Sequence, residues 1–323
     1  MNRQNAISVM NERGKKHVPF VFLIDYPMNE CMVLSSSEAF RNGILFNFNG
    51  YKNYYHHSPG SKTFISSLQP VSYDRYLEAF RYVQKELNMG NSYLVNLTFP
   101  TQIELNGSLE DVFHYSKAIY KLLYKNEFVV FSPESFVRIT GGKIFTNPMK
   151  GTINEEIPGA RERILGDPKE RAEHATIVDL LRNDLSRFSK QVRVDRFRYL
   201  DLIKSNNRRL LQVSSEISGI LPRDYKCLLG DIVFSLLPAG SVTGAPKHKT
   251  LEIIDNAENY NRGFYTGIAG YFDGDKLESC ILIRFIERKQ SHYLYKSGGG
   301  ITAMSNPESE YRELIDKIYV PTN

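Results

Sequence analysis

What most constrains the fold of this chain is the irregular order in which two apolar patterns succeed each other. Residues 20–24 are apolar throughout, and residues 44–48 alternate up to the turn Asn49-Gly50, both strand signals. Tyr73, Tyr76, Leu77, Phe80, Val83 and Leu87 then recur at spacings of three and four, which predicts an amphipathic helix ending before Gly90. Gly107-Ser108 is expected to open a second helix through Leu123. Strands are expected at 128–130 and 136–140, split by the turn Ser132-Pro133-Glu134. Asp167-Pro168 joins a capping side chain to a first-turn proline and starts a helix through Leu185, with Ile177, Leu180 and Leu181 inward. Strands follow at 192–194 and 213–217. One helix spans 225–235, and another opens at Pro246 and carries Leu251, Ile254 and Ala257. Strands at 268–272 and 280–286 flank Asp273-Gly274-Asp275, and Asn306-Pro307 starts a last helix with Leu314 and Ile318 on its apolar side. No steady βαβ repetition runs through this order, so a large α+β fold is expected rather than a parallel sheet. Without an internal repeat or a low-complexity linker, the chain divides at most into an abbreviated strand region, 1–70, and a continuous catalytic region, 71–323.

With 323 residues, 41% of them hydrophobic, the chain can bury a sizeable core. It has no run of 18 apolar residues, and its start through His17 is polar, so no membrane span or signal peptide is expected. Cys31, Cys227 and Cys280 form neither a ligand pattern nor a disulfide ladder, which suits a reducing cytoplasm. There the Asn96-Leu97-Thr98 sequon has no meaning as a glycosylation site. A net charge of +5 suits a small anionic substrate. The densest basic cluster, Lys204, Arg208 and Arg209, belongs to no recognised nucleic-acid module, so no nucleic-acid partner is expected.

The segment Asn147-Pro148-Met149-Lys150-Gly151-Thr152 holds one lysine in a tight Pro/Gly turn, where it can serve as a nucleophile. Burial would lower its pKa and neighbouring carboxylates would raise it. Glu170/Glu173 and Glu310/Glu313 are each spaced i,i+3, so both carboxylates of a pair share a helix face. Facing one another, the four would need a cation, and oxygen-only ligation suits Mg²⁺. By spacing alone, two unrelated solvated faces are the commoner outcome. Gly298-Gly299-Gly300 lets backbone N–H groups approach an anion, or is a plain turn. Residues 238–247, including Gly244 and Lys247, place small residues before a helix N-terminus that can hold a carboxylate, in an order that is not a phosphate-binding P-loop. Arg284 lies in an apolar stretch and needs a partner, for which a bidentate carboxylate is natural. Glu134 can act as a general acid if desolvation keeps it protonated. His174 and His248 are candidate substrate contacts, and neither has a second ligand at zinc spacing.

Together these segments resemble the chorismate-utilising enzyme family, which includes anthranilate, isochorismate, salicylate and aminodeoxychorismate synthases. The resemblance spans roughly residues 70–320. It rests on Pro148-Met149-Lys150-Gly151-Thr152, Glu170-Arg171-Ala172-Glu173-His174, 180–185, Ser241-Val242-Thr243-Gly244-Ala245-Pro246-Lys247, Arg262-Gly263-Phe264-Tyr265-Thr266-Gly267, and Gly299-Gly300-Ile301-Thr302 followed by Glu308 to Glu313. It implies a two-lobed sandwich of antiparallel sheets with a central cleft. In that cleft Mg²⁺ is ligated by Glu173 and Glu313, and Glu170 and Glu310 hold metal-bound water. It further implies substrate contacts from Tyr265, Arg284, Gly299, Gly300, Lys247, Thr152 and Gly244, with Glu134 as general acid. A lysine at 150, where anthranilate synthases carry alanine, implies the aminodeoxychorismate branch, in which Lys150 adds to C2 of chorismate and ammonia replaces the C4 hydroxyl. Ammonia would come from a separate class I glutamine amidotransferase. The alternatives are anthranilate or isochorismate/salicylate synthesis, or an inactive scaffold for a glutaminase. Three departures from the family pattern stand out: Met149 in place of isoleucine, Gln212 where many relatives have histidine, and a shorter N-terminal region.

Overall fold

The computed structural model describes residues 1–55, 62–205 and 208–321. The side chains at 169, 204, 205 and 208 lie outside that description, and with them most of the basic cluster at 204–209. Two nine-stranded sheets, antiparallel at every pairing, make up the frame. In the first, the order is Met149–Asn154, Arg208–Ile220, Lys143–Thr146, Ser135–Thr140, Leu277–Ile281, Ile268–Phe272, Phe20–Ile24, Cys31–Leu34, with Lys190–Ser205 also on Arg208–Ile220. In the second, it is Gly244–Ala245, Leu94–Leu105, His292–Ile301, Phe285–Lys289, Phe128–Ser132, Tyr120–Tyr124, Ile44–Phe48, Tyr51–Lys52, with Ile65–Gln69 also on Leu94–Leu105.

The apolar run Phe20–Ile24 shows how the layers form. Strand side chains alternate between faces. Val21 and Leu23 enter a core shared with Phe46, Leu122, Val130 and Phe285 of the other sheet. Phe20, Phe22 and Ile24 pack instead under helices Arg3–Lys15 and Leu229–Ser235. Both faces are buried, so the segment reads as continuous apolar sequence rather than as an alternation. The second sheet is covered in turn by Tyr73–Asn88, Lys247–Glu258 and Pro307–Asp316 over Val95, Leu97 and Ile301.

Helix Pro168–Leu185 has the predicted bounds, with Asp167 accepting from the Glu170 N–H. Two expectations are corrected. The helix at 109 stops at Tyr115, and Tyr120–Tyr124 is a strand buried along its whole length; a segment buried on both faces carries no period that distinguishes it from a helix. The stretch 280–286 divides into strands Leu277–Ile281 and Phe285–Lys289, with Arg284 at φ +55° in the break. The alternative of a plain turn at Gly298-Gly299-Gly300 is also ruled out, since these residues end strand His292–Ile301 and pair with Thr98, Leu97 and Asn96. Among the described residues one stretch, Tyr225–Val242, is long and apolar enough to cross a membrane, and 61% of it is buried in the core.

Candidate active site

The chain crosses between the sheets at two neighbouring corners. Residues 133–134 join Phe128–Ser132 of the second sheet to Ser135–Thr140 of the first, and 282–284 join Leu277–Ile281 to Phe285–Lys289 in the reverse sense. The corners are tied by Phe131 N–H to Arg284 C=O (3.2 Å) and by Ile281 N–H to Glu134 C=O (3.1 Å). Backbone that leaves a ladder can point its side chains along the sheet end instead of into a layer. Glu134 and Arg284 therefore enter one cleft of about 200 Å³, also lined by Lys150, Gly151, Thr152, Gln212, Ser241, Tyr265, Gly298–Gly300, Glu313 and Lys317.

Lys150 reaches this cleft from a bulge in Met149–Asn154. Its Nζ lies 2.8 Å from Glu173 Oε2, with the lysine side chain 18% exposed. Burial pulls its pKa down, but Glu173, Glu313 and Glu170 push it up and prevail, so the free protein holds an ammonium here. The structure thus resolves the competition between burial and carboxylates that the sequence left open. Helices Pro168–Leu185 and Pro307–Asp316 face the same point. A Cβ on Gly151 would stand 2.7 Å from Glu170 Oε2, and one on Gly299 would stand 3.7 Å from both Glu310 Oε2 and Glu313 Oε1. At Gly151 the missing side chain leaves Glu170 its room, whereas at Gly299 the acidic groups stand at ordinary contact distance. Glu170 Oε2 is buried with no hydrogen-bond partner. Among the described residues, no three His, Cys, Asp or Glu side chains stand ready as a metal cage, and the Lys150 ammonium occupies the acidic centre.

Glu134 Oε1 accepts from Ser241 Oγ at 2.6 Å. Burial raises the Glu134 pKa, against the opposing pull of Ser241, Arg284 and Lys317. Arg284 stacks over the Tyr319 ring, its Nε without a hydrogen-bond partner. Tyr265 is buried at the cleft wall, where desolvation pushes its hydroxyl pKa up.

Other candidates lie elsewhere. Lys247 Nζ pairs with Asp184 Oδ2 at 2.8 Å, donates to the Leu236 carbonyl, and does not line the cleft. Gly244 is outside the lining too: it pairs with Val95 at φ +131°, where a Cβ would meet the Leu94 carbonyl. His174 is buried behind the cleft with Nε2 2.7 Å from Ser215 Oγ, and burial pushes its pKa down to about 4. His248 is an exposed side chain near Glu252. Sequence reasoning missed Lys317, whose Nζ is 2.7 Å from Glu313 Oε1 and donates to the Gly298 carbonyl. The available signal was its place one helical turn after Glu313.

The cleft between two antiparallel sheets thus gathers a lysine among glutamates, with a buried carboxyl and an arginine in the same lining. Residues 18–323 match the chorismate binding enzyme family, and the chain belongs to it. It is 47% identical over 322 residues to an uncharacterized PabA-like protein of Pasteurella multocida, covering 99% of each chain. It is 33% identical over 259 residues to aminodeoxychorismate synthase component 1 of Salmonella typhimurium, covering 75% of this chain and 56% of that one. The fold is similar to that of MenF, the menaquinone-specific isochorismate synthase of Escherichia coli, with a TM-score of 0.73 at 18% identity over 97% of this chain and 80% of that one.

Proposed function

We propose that this protein aminates chorismate with ammonia to give 4-amino-4-deoxychorismate. The observation that carries the reading is the Lys150 amine in one cleft with Glu134, where anthranilate-forming relatives are expected to carry alanine. Lys150 starts as an ammonium, and its proton has an acceptor in Glu173 Oε2 at 2.8 Å. The freed amine forms a bond to C2 of the ring, the two ring double bonds shift, and the C4–O bond breaks. Glu134, whose acid form burial favours, gives its proton to the departing hydroxyl, which leaves as water. Ammonia then bonds to C4 and passes one proton to the Glu134 carboxylate, the double bonds return, and the C2–N bond breaks to release the Lys150 amine. Atoms balance as chorismate plus ammonia giving product plus water.

Arg284 and Lys317 supply the fixed positive charge suited to the substrate carboxylates, with Tyr265 and the strand Gly298–Gly300 as the wall. Glu170, Glu173, Glu310 and Glu313 would hold Mg²⁺. Their oxygen-only chemistry and the unpartnered Glu170 Oε2 fit that ion. When bound, Mg²⁺ neutralises carboxylate charge. The proposed ammonia source is a class I glutamine amidotransferase, and the proposed setting is the cytoplasm. Incubation with chorismate, Mg²⁺ and ammonium, with products separated by mass, should yield aminodeoxychorismate. Anthranilate or isochorismate as the product would overturn the reading.

A further inference from the structure

We infer that Gln212 is a positioning residue that fixes the backbone bulge carrying Lys150. Met149 pairs with Ser214 and Thr152 with Gln212, so Lys150 and Gly151 together face Val213. Two residues against one is a bulge, and it leaves backbone groups outside the ladder. The Gln212 side chain replaces what the ladder loses: its Nε2 donates to the Gly151 carbonyl at 2.8 Å, and its Oε1 accepts from Thr152 Oγ1 at 3.1 Å. On the far side stands Glu170, whose Oε2 would lie 2.7 Å from a Cβ at 151, and the left-handed φ of +87° there favours glycine. The bulge is thus wedged between an amide and an acidic helix. An uncharged amide offers a donor and an acceptor in one plane at every working pH, whereas a carboxylate at 212 would only accept. The direction of Lys150 toward Glu173 and the cleft follows from this wedge.

The kinetic consequence rests on the proposed role of Lys150, but the geometric one does not, and the experiment separates them. Wild type, Gln212→Met and Thr152→Val are pulse-labelled with methyl acetimidate, and labelling of Lys150, buried Lys121 and exposed Lys16 is read by peptide mass spectrometry. Losing an ordinary hydrogen bond should raise the Lys150/Lys16 labelling ratio about fivefold in Gln212→Met, and by a smaller factor in Thr152→Val. The Lys121/Lys16 ratio should stay fixed. In turnover, Gln212→Met should lower kcat about tenfold or more, with KM changed less than about twofold, as expected of a misplaced reacting group. An unchanged Lys150 ratio in the folded variants, or an equal rise at Lys121 that marks general loosening, would overturn the inference. If Gln212→Met does not fold, Thr152→Val decides by the same criterion. Should wild type fail to aminate chorismate, the functional proposal falls while the labelling ratios still judge the clamp.

Discussion

The buried charges around Arg262 and those around Lys150 differ in how completely they are satisfied. Behind the cleft, Arg262 and Glu258 form an ion pair with both side chains 1% exposed. Arg262 also donates to the carbonyls of Val242 and Asn96, and Glu258 accepts from Thr98 N–H and Oγ1. Lys296 caps the Arg262 carbonyl at 2.9 Å. Around Lys150, by contrast, Glu170 Oε2 and Arg284 Nε have no hydrogen-bond partner, and carboxylates from two helices crowd one ammonium. A saturated network fixes backbone, whereas one with unmet polar groups is poised for a ligand that brings the missing charge. Burial alone does not tell the two apart; the inventory of partners does.

The sharpest way to break this contrast is Lys150→Ala. Amination should fall on the order of 10⁴-fold while the unfolding midpoint moves little by comparison, and retained product formation would remove the cleft from the chemistry. Arg262→Ala should do the opposite, costing about 3–5 kcal/mol of stability in urea unfolding, because it leaves Glu258 buried and uncompensated. A cost below about 1 kcal/mol would show that saturation is not what holds that cluster. Glu134→Gln should lower kcat by about a hundredfold. Because burial raises the Glu134 pKa, the acid form persists above the ordinary carboxylate range, and activity should fall as pH rises through that raised value. The Gln variant should lose this limb of the profile. The smallest effect sharpens the saturated side. Lys121 donates to the carbonyls of Phe113 and Ser116, yet desolvation pushes its pKa down to about 8. Between that value and the ordinary lysine range the unfolded chain binds more protons, so the urea midpoint should rise with pH across this window. Lys121→Met should flatten the rise.

Much of this was legible from residues alone where one local signal dominated. Asp167-Pro168 set the start of Pro168–Leu185, and from the i,i+3 glutamates the fold brings Glu170, Glu173 and Glu313 toward Lys150. Sequence failed where the tertiary setting decides. Helix Arg3–Lys15 went unread because it buries only Ala6, Met10 and Gly14, too few apolar positions to form a stripe. Tyr120–Tyr124 was mistaken for helix because both its faces are covered. Lys247 follows a small-residue turn that looks suited to an anion, but Asp184, from a helix far earlier in the chain, claims its ammonium. The importance of Lys317 appears only when the chain end folds back, with the Lys117 N–H donating to the Pro321 carbonyl at 2.8 Å.

The register that sets Phe20 opposite Phe272 also has a bearing on biosynthesis. A sticky apolar strand at 20–24 has no sheet neighbour on one side until residues 268–272, far along the chain, have left the ribosome. Such distant closure slows folding and leaves aggregation-prone surface waiting. Yield of native protein in a cell should therefore depend on holdase chaperones and translation speed more than the ordinary amount of core it finally buries would suggest.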